Sequence, residues 1–322
     1  MDPQDARRDA RLRRLVEELQ DDAGRAPDPT DATGRLVLEE IDHARRPHVH
    51  ERRVASSGVL VAPSTDAAGW SVGTSLEILR GPISPDDLDG LRRFADGLSS
   101  WIIRRPGGPD EWTIFDRPAG SERDLVVLAD VFGATVVQRH PTGSVRVADA
   151  DGVLRWHGLT WHHEPPVSAW IDEMTACPSH GDVEVVHALL EFAVHDLGSN
   201  GIGALLIYRP DDGSGPVVEA RLPPPPPLDI RRPTGLAPLR HALAQVDGAA
   251  VFDPSGTLRQ LGVRLVPSAT AEAEVDGLGG MRHTSARRYS YDDPQATVIV
   301  VSEDGPVTVL RNGHLLGSSS GG

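Results

Sequence analysis

The 322-residue chain contains no lysine, so its 32 basic residues are all arginine. This excludes Schiff-base chemistry, and with it pyridoxal-phosphate enzymes and class I aldolases. It also excludes the P-loop Gly-Lys-Ser/Thr and the strand lysine of protein kinases. Phosphate binding stays open, because arginine is permanently charged and grips phosphate through two parallel hydrogen bonds. Cysteine is nearly absent too: Cys177 stands alone, which rules out an intramolecular disulfide and a thiolate metal cage. No apolar run approaches the roughly 18 residues of a membrane span. The polar start Met1-Asp2-Pro3-Gln4-Asp5 does not read as a signal peptide, so a cytoplasmic location is expected. A net charge of -15 without a clustered basic domain argues against nucleic acid as a partner.

What is present is the composition of a globular chain, 39% hydrophobic and 25% charged, long enough for about two domains. Residues 5–20 read as an amphipathic helix with Leu12, Leu15, Val16 and Leu19 on one stripe, followed by a linker over Asp21–Thr33. From about Val54 the pattern turns β-like, as in Gly58-Val59-Leu60-Val61. Ser84-Pro85-Asp86-Asp87 reads as a helix start leading into Leu88, Leu91, Phe94, Leu98 and Ile102. Short apolar segments follow at Leu125–Leu128, Ala134–Gln138, Ser144–Val147 and Gly152–Trp156, the last two joined as a hairpin. A second unit begins near Gly181. The spacing predicts a helix over Asp182–Leu197 ended by Gly198, then a buried strand at Gly203–Tyr208 turned by Asp211-Asp212-Gly213. Further on come a helix at Leu236–Val246, strands at Asp247–Phe252 and Leu258–Val266, a helix at Gly280–Ser290 and a strand at Ala296–Val301.

Three short elements of this second unit carry chemistry. Asp247-Gly248-Ala249 opens a strand with a carboxylate, and a glycine lets a ligand approach the backbone. Gly279-Gly280-Met281-Arg282-His283-Thr284 starts a helix, where free N–H groups and a guanidinium make an anion site. Ser302-Glu303-Asp304 ends a buried strand with acids able to hold a divalent cation. Singly, each is ordinary turn chemistry; together they are the set that phosphoryl or nucleotidyl transfer requires.

Their order, with Gly203-Ala204-Leu205-Leu206 before them and Leu265-Val266-Pro267 between, resembles the diadenylate cyclase domain. That family joins a Gly-Ala-Leu strand, Asp-Gly-Ala, Leu-x-Pro, Gly-Thr-Arg-His-Arg and a Val-Ser-Glu-Glu strand end. The resemblance spans Glu184 to His314 and implies an α/β (α+β) chain: a C-terminal mixed β-sheet flanked by helices, beside a separate N-terminal α+β domain. Its expected divisions are a helix and linker at 1–39, a sensor-like domain at 40–178, the cyclase domain at 179–316 and a tail at 317–322. It implies condensation of two ATP into cyclic di-AMP and two pyrophosphates, with Mg²⁺ or Mn²⁺ as cofactor, in a homodimer or higher homo-oligomer. Asp247, Arg282 and His283 become the expected catalytic residues. Gly248, Ala249, Leu265, Gly280, Met281, Thr284, Ser285, Ser302 and Glu303 join Arg282 and His283 in binding ATP, and Asp247 and Glu303 hold the metal.

The chain departs from the family at Met281, Thr284 and Asp304, where relatives carry threonine, arginine and glutamate. Arg287, three residues after Thr284 and on nearly the same helical face, is the candidate to replace the lost charge. Two other readings stay open. One is a nucleotide-binding module without catalysis. The other is a metal hydrolase centred on His157, His162, His163 and Glu164; His48 and His50 alternate on a strand face without a third ligand, and Cys177 reads as an inert small residue.

Overall fold

A computed structural model describes residues 3–46, 49–50, 53–64, 67–84, 87–175, 183–210, 218–303 and 306–318. Pro85, Asp86, His48, Cys177, Gly181, Asp182, Asp211–Gly213, Asp304 and the tail from 319 lie outside the described residues. The chain divides into two compact units, Met1–Pro166 and Val167–Gly322.

In the first unit, α1 (Pro3–Ala23) and α2 (Ala32–Arg45) precede a two-stranded ribbon, β1 (Val49–His50) and β2 (Arg53–Val54). The main elements follow as β3 (Ser57–Val61), α3 (Ala67–Thr74), β4 (Ile78–Pro82), α4 (Leu88–Leu91), β5 (Ser100–Arg104), β6 (Glu111–Phe115) and α5 (Glu122–Phe132). Then come β7 (Thr135–Arg139), β8 (Val145–Asp149), β9 (Gly152–Trp156) and β10 (Trp161–Glu164). Among the described residues they form an eight-stranded mixed sheet in the order β10-β9-β8-β7-β3-β5-β6-β4, with β3 and β5 parallel. One face packs on α1 and α2 through Leu12, Leu15, Leu19, Val37, Leu38 and Ile41. The other packs on α3 and α5 through Trp70, Leu125, Leu128 and Phe132.

Two expectations change here. Residues 1–39 are not a separate helix and linker, because the leucine stripe of α1 is part of this unit's core. The helix expected from Ser84 toward Ile102 shrinks to Leu88–Leu91, and Ile102 lies in β5. The reason is local: Gly97 takes a left-handed φ of 69°, and the Asp96 carboxylate accepts the N–H groups of Leu98, Ser99 and Ser100. That turn competes with helix. Leu125–Leu128, by contrast, is helical, started by a capping box between Ser121 and Asp124 and ended by Gly133 in the left-handed region.

The second unit begins at α6 (Val167–Thr175), whose Val167 and Trp170 are buried in its core, so the division falls at 166/167 rather than 178/179. Next are α7 (Val183–Glu191), a π-helical turn at Phe192–Leu197 and a 3-10 turn at Gly198–Asn200. The left-handed residue that ends this run is Gly201 (φ 64°), not Gly198. After them come β11 (Ala204–Tyr208), β12 (Val218–Glu219), α8 (Pro233–Leu243), β13 (Ala249–Phe252), β14 (Leu258–Leu265), α9 (Ala269–Glu274) and α10 (Met281–Asp292). β15 (Thr297–Val301), β16 (Val307–Arg311) and β17 (His314–Ser318) complete the unit. The seven described strands order as β12-β14-β13-β11-β15-β16-β17. β11 and β15 are buried along their whole length, as unbroken apolar strands covered on both faces should be. α10 packs on one face through Ala286 and Tyr289, against Leu205, Val251 and Val300. The other face carries α7 and α8, through Leu189, Leu190, Leu236 and Leu239. The mixed sheet flanked by helices and the separate N-terminal α+β domain are as expected.

Candidate functional site

The register of the second sheet gathers the sequence motifs at one end. β11 runs parallel to β13 with Leu205 beside Ala249, and antiparallel to β15 with Ala204 beside Val301. β14 runs antiparallel to β13 with Ala249 beside Val263. The starts of β11 and β13 therefore share an end with the finishes of β14 and β15. Gly203, Asp247-Gly248, Leu265 and Ser302-Glu303 all lie there.

The first residues of α10 reach the same place. A Cβ built on Gly203 would lie 2.4 Å from Nη1 of Arg282 and 2.8 Å from Cγ of Glu303. The absent side chain of Gly203 is what leaves room for both the guanidinium and the carboxylate arm over the sheet end. Gly203 stands in the expected strand, outside the expected site residues; a glycine immediately before a buried apolar run is the sequence signal of such a close approach.

Gly280 caps α10 without a side-chain hydrogen bond, and nothing lies within 4 Å of its ideal Cβ. The first N–H groups of the helix thus have no side-chain cap from Gly280, and Met281 beside them is 89% exposed. Among the described residues no hydrogen bond or ion pair occupies Arg282, Asp247 or Glu303. Asp247 and Glu303 are exposed, while Arg282, His283, Thr284, Ser285 and Ser302 are half-buried. Burial, and then the neighbouring Arg282 charge, hold the His283 imidazole below its ordinary pKa.

Other expected site residues have different work. Ala249 is buried in the core, and Leu265 packs partly against it. Gly248 (φ 110°) has a close backbone approach, but from its own sheet: an added Cβ would lie 2.7 Å from the Gly262 carbonyl carbon and 2.7 Å from the Val263 oxygen. The Thr284 hydroxyl accepts the Leu278 N–H at 3.1 Å, pinning the glycine loop that precedes α10. Arg287 does not replace the missing charge. Its Nε donates to the Gly313 carbonyl at 2.9 Å and its Nη1 to the Asp276 carbonyl at 3.3 Å. Arg288 likewise donates to the Val275 carbonyl at 3.3 Å. Arg282 is the one guanidinium of α10 left uncommitted among the described residues.

Asp247 and Glu303 present carboxylate oxygens, the donor type that Mg²⁺ or Mn²⁺ takes together with phosphate oxygens and water. Uncommitted carboxylates at the site fit such an ion. Among the described residues no group of three or more His, Cys, Asp or Glu side chains could hold a metal by itself. The histidine cluster of the first unit is divided, with His157 and His162 near each other but Glu164 and His163 engaged elsewhere. Glu164 is buried against Arg155 (3.3 Å), and His163 turns to the Asp151 carbonyl (2.8 Å) and to Arg25. His162 lies opposite Arg155 across the β9–β10 pair, so it faces the other side of the sheet from His163.

With this geometry in view, two family comparisons account for most of the chain. A family described as "Probable sensor domain DACNK" matches residues 13–164. One described as "DisA bacterial checkpoint controller nucleotide-binding", the DAC domain, matches residues 191–315. The chain is a DAC-domain protein with an N-terminal DACNK sensor domain. No match is found among curated proteins. A solved structure described as a hypothetical membrane spanning protein from Bacillus cereus is 16% identical, over 46% of this chain and 85% of that one, with a TM-score of 0.27. A likeness at that score carries no argument. No described helix of the DAC protein is long and apolar enough to cross a membrane. The DAC match assigns nucleotide binding to a stretch, residues 191–315, that includes the open end of the second sheet, while the match at 13–164 includes His157, His162 and His163.

Proposed function

We propose that the DAC domain condenses two ATP molecules into cyclic di-AMP and two pyrophosphates. The observation that carries this reading is the convergence of Arg282 and Glu303 over Gly203, at the sheet end where Asp247 and the open start of α10 also lie. The ribose 3′-oxygen of one ATP attacks the α-phosphorus of the other; that P–O bond forms as the bond to pyrophosphate breaks. The hydroxyl proton passes to the Asp247 carboxylate, which is exposed and uncommitted. Arg282 and the first N–H groups of α10 take up negative charge on the phosphates. His283, whose pKa is lowered by burial and then by Arg282, offers the phosphates a hydrogen-bonding ring. Mg²⁺ or Mn²⁺, held by Asp247 and Glu303, would supply Lewis-acid charge neutralisation. A reciprocal second attack closes the ring. Each ATP supplies the nucleophile for the other, so two DAC domains face each other in a homodimer or larger assembly.

Incubation with ATP and Mn²⁺ or Mg²⁺, followed by mass analysis, tests this directly. Cyclic di-AMP is expected from the wild type, and Asp247→Ala is expected to lower its formation by roughly 10²–10⁴-fold. No product with either metal would overturn catalysis. GTP run in parallel reads base choice.

A specific observation favours a second reading, nucleotide binding without turnover. Thr284 stands where relatives carry arginine, and Arg287 and Arg288 are committed to loop carbonyls. Under that reading the wild type binds ATP without forming product, and Thr284→Arg, which adds a second guanidinium, makes product appear. Under the cyclase reading the wild type already turns over, and Thr284→Arg shifts the rate by less than about tenfold, since it gains charge but loses the Leu278 bond. The product assay on both proteins separates the two.

A further inference from the structure

The sensor domain contains a buried cation that its own hydrogen bonds do not explain. Gln138, Arg146, Arg155 and His162 stand opposite one another on β7, β8, β9 and β10, forming one polar row on the face that carries α5. Arg155 is well served, by the Glu122 carboxylate through Nε (2.8 Å) and Nη2 (2.5 Å) and by Glu164. Gln138 donates to the carbonyls of Gly97 and Gly120. Arg146 is different. Its side chain is only 5% exposed, yet among the described residues none of its N–H groups makes a hydrogen bond. Its one ion pair, Nε to Glu122 Oε2 at 3.8 Å, is too long to be a hydrogen bond, and that carboxylate is already engaged by Arg155. A buried guanidinium with unused donors is costly unless something else supplies acceptors.

Apart from the Glu122 carboxylate, which Arg155 already engages, the polar groups around it can donate. Strand alternation puts Ser144, two residues before Arg146, on the same face, and the register sets His140 and His157 on either side of it. Thr142 Oγ1 bridges His140 Nδ1 (2.8 Å) and Ser144 Oγ (3.3 Å). His157 and His162 are exposed and His140 is half-buried, so the histidines form a rim open to solvent with Arg146 at its floor. We propose that this rim and floor form an anion site of the sensor domain, taking the phosphoryl group of a small effector. A carboxylate needs fewer donors than a guanidinium, two hydroxyls and three imidazoles provide, whereas phosphate can use them. A metal cation is disfavoured by the two arginines among the histidines. The rings register the same field. His140 is held below the ordinary imidazole pKa by burial and then by Arg146. His157 is held low by burial, then by Arg155, Arg146 and His162, against a smaller opposing effect of Glu122.

The test uses the full-length chain carrying Arg282→Ala, so that phosphate held at the DAC site does not contribute. Inorganic phosphate is titrated while the histidine ring resonances are followed by NMR, with His140→Ala and His157→Ala assigning the signals. The expected result is saturable binding with the pKa values of His140 and His157 raised, since a bound anion favours their protonated forms. Arg146→Gln is expected to weaken that binding by roughly tenfold or more. Absence of a saturable shift at millimolar phosphate overturns the site, and so does unchanged binding in Arg146→Gln. Acetate binding as tightly as phosphate overturns the phosphoryl assignment. If Arg146→Gln fails to fold, the histidine titration of the Arg282→Ala protein still decides.

Discussion

On the proposed cyclase reading, Arg282→Ala is expected to lower cyclic di-AMP formation by roughly 10²–10³-fold while leaving the unfolding of the DAC domain almost unchanged, the scale for losing one pre-organised donor to a developing charge. The separation of the two effects follows from the geometry. Arg282 has no hydrogen bond or ion pair among the described residues, so removing it strands no buried partner. Arg287 looks similar in the sequence but holds the Gly313 and Asp276 carbonyls, so its loss acts on the loops before and after α10. Steady-state product formation measured beside denaturant unfolding checks the expectation. A rate within a few-fold of wild type would remove Arg282 from the phosphate site. A parallel loss of stability would make it structural.

The largest stability effect is expected in the sensor domain, at Glu122→Ala. Glu122 is 1% exposed at the first turn of α5, where it takes two hydrogen bonds from Arg155 and stands 3.8 Å from Arg146. Its carboxylate raises the pKa of buried Arg155 against the pull of desolvation. Without it, Arg155 keeps the Glu164 carboxylate at 3.3 Å, and Arg146 loses its ion pair among the described residues. Breaking a buried pair from one side costs about 3–5 kcal/mol, because the remaining charge stays buried and poorly compensated. Denaturant unfolding followed by tryptophan fluorescence is a suitable measurement, since Trp70, Trp101, Trp112, Trp156 and Trp161 all lie in this domain and only Trp170 does not. A loss below about 1 kcal/mol would mean that water or a bound anion already shares the compensation.

Much of the DAC fold was legible in residue order because its signals are local. The run at Gly203–Tyr208 is apolar throughout because the strand is covered on both faces, and that pattern is visible without a structure. The turn Asp253–Gly256 and the glycines before Met281 mark their elements by backbone chemistry alone. The failures are equally local in appearance and tertiary in cause. Leu88, Leu91, Phe94, Leu98 and Ile102 keep helical spacing, yet Asp96 and Gly97 turn the chain and Ile102 joins β5. The leucines of α1 were readable as a stripe, but not as part of the sensor core, because their partners Val59 and Val147 lie far along the chain.

The absence of lysine, by itself, determined that arginine is the one permanently charged side chain this sequence can offer a phosphate. The motif order determined the family and where its nucleotide site would be sought. Which arginine is free was decided only by tertiary structure. Arg282, Arg287 and Arg288 are chemically equivalent in the sequence. The carbonyls of Gly313, Asp276 and Val275 claim two of them, and Gly203 leaves room for the third. The same holds for the histidines that read as a metal cluster: cross-strand register gives Glu164 to Arg155 and sets His162 and His163 on opposite faces. Hydrogen-bond partners depend on which backbone atoms folding brings within reach, and that information is absent from residue spacing.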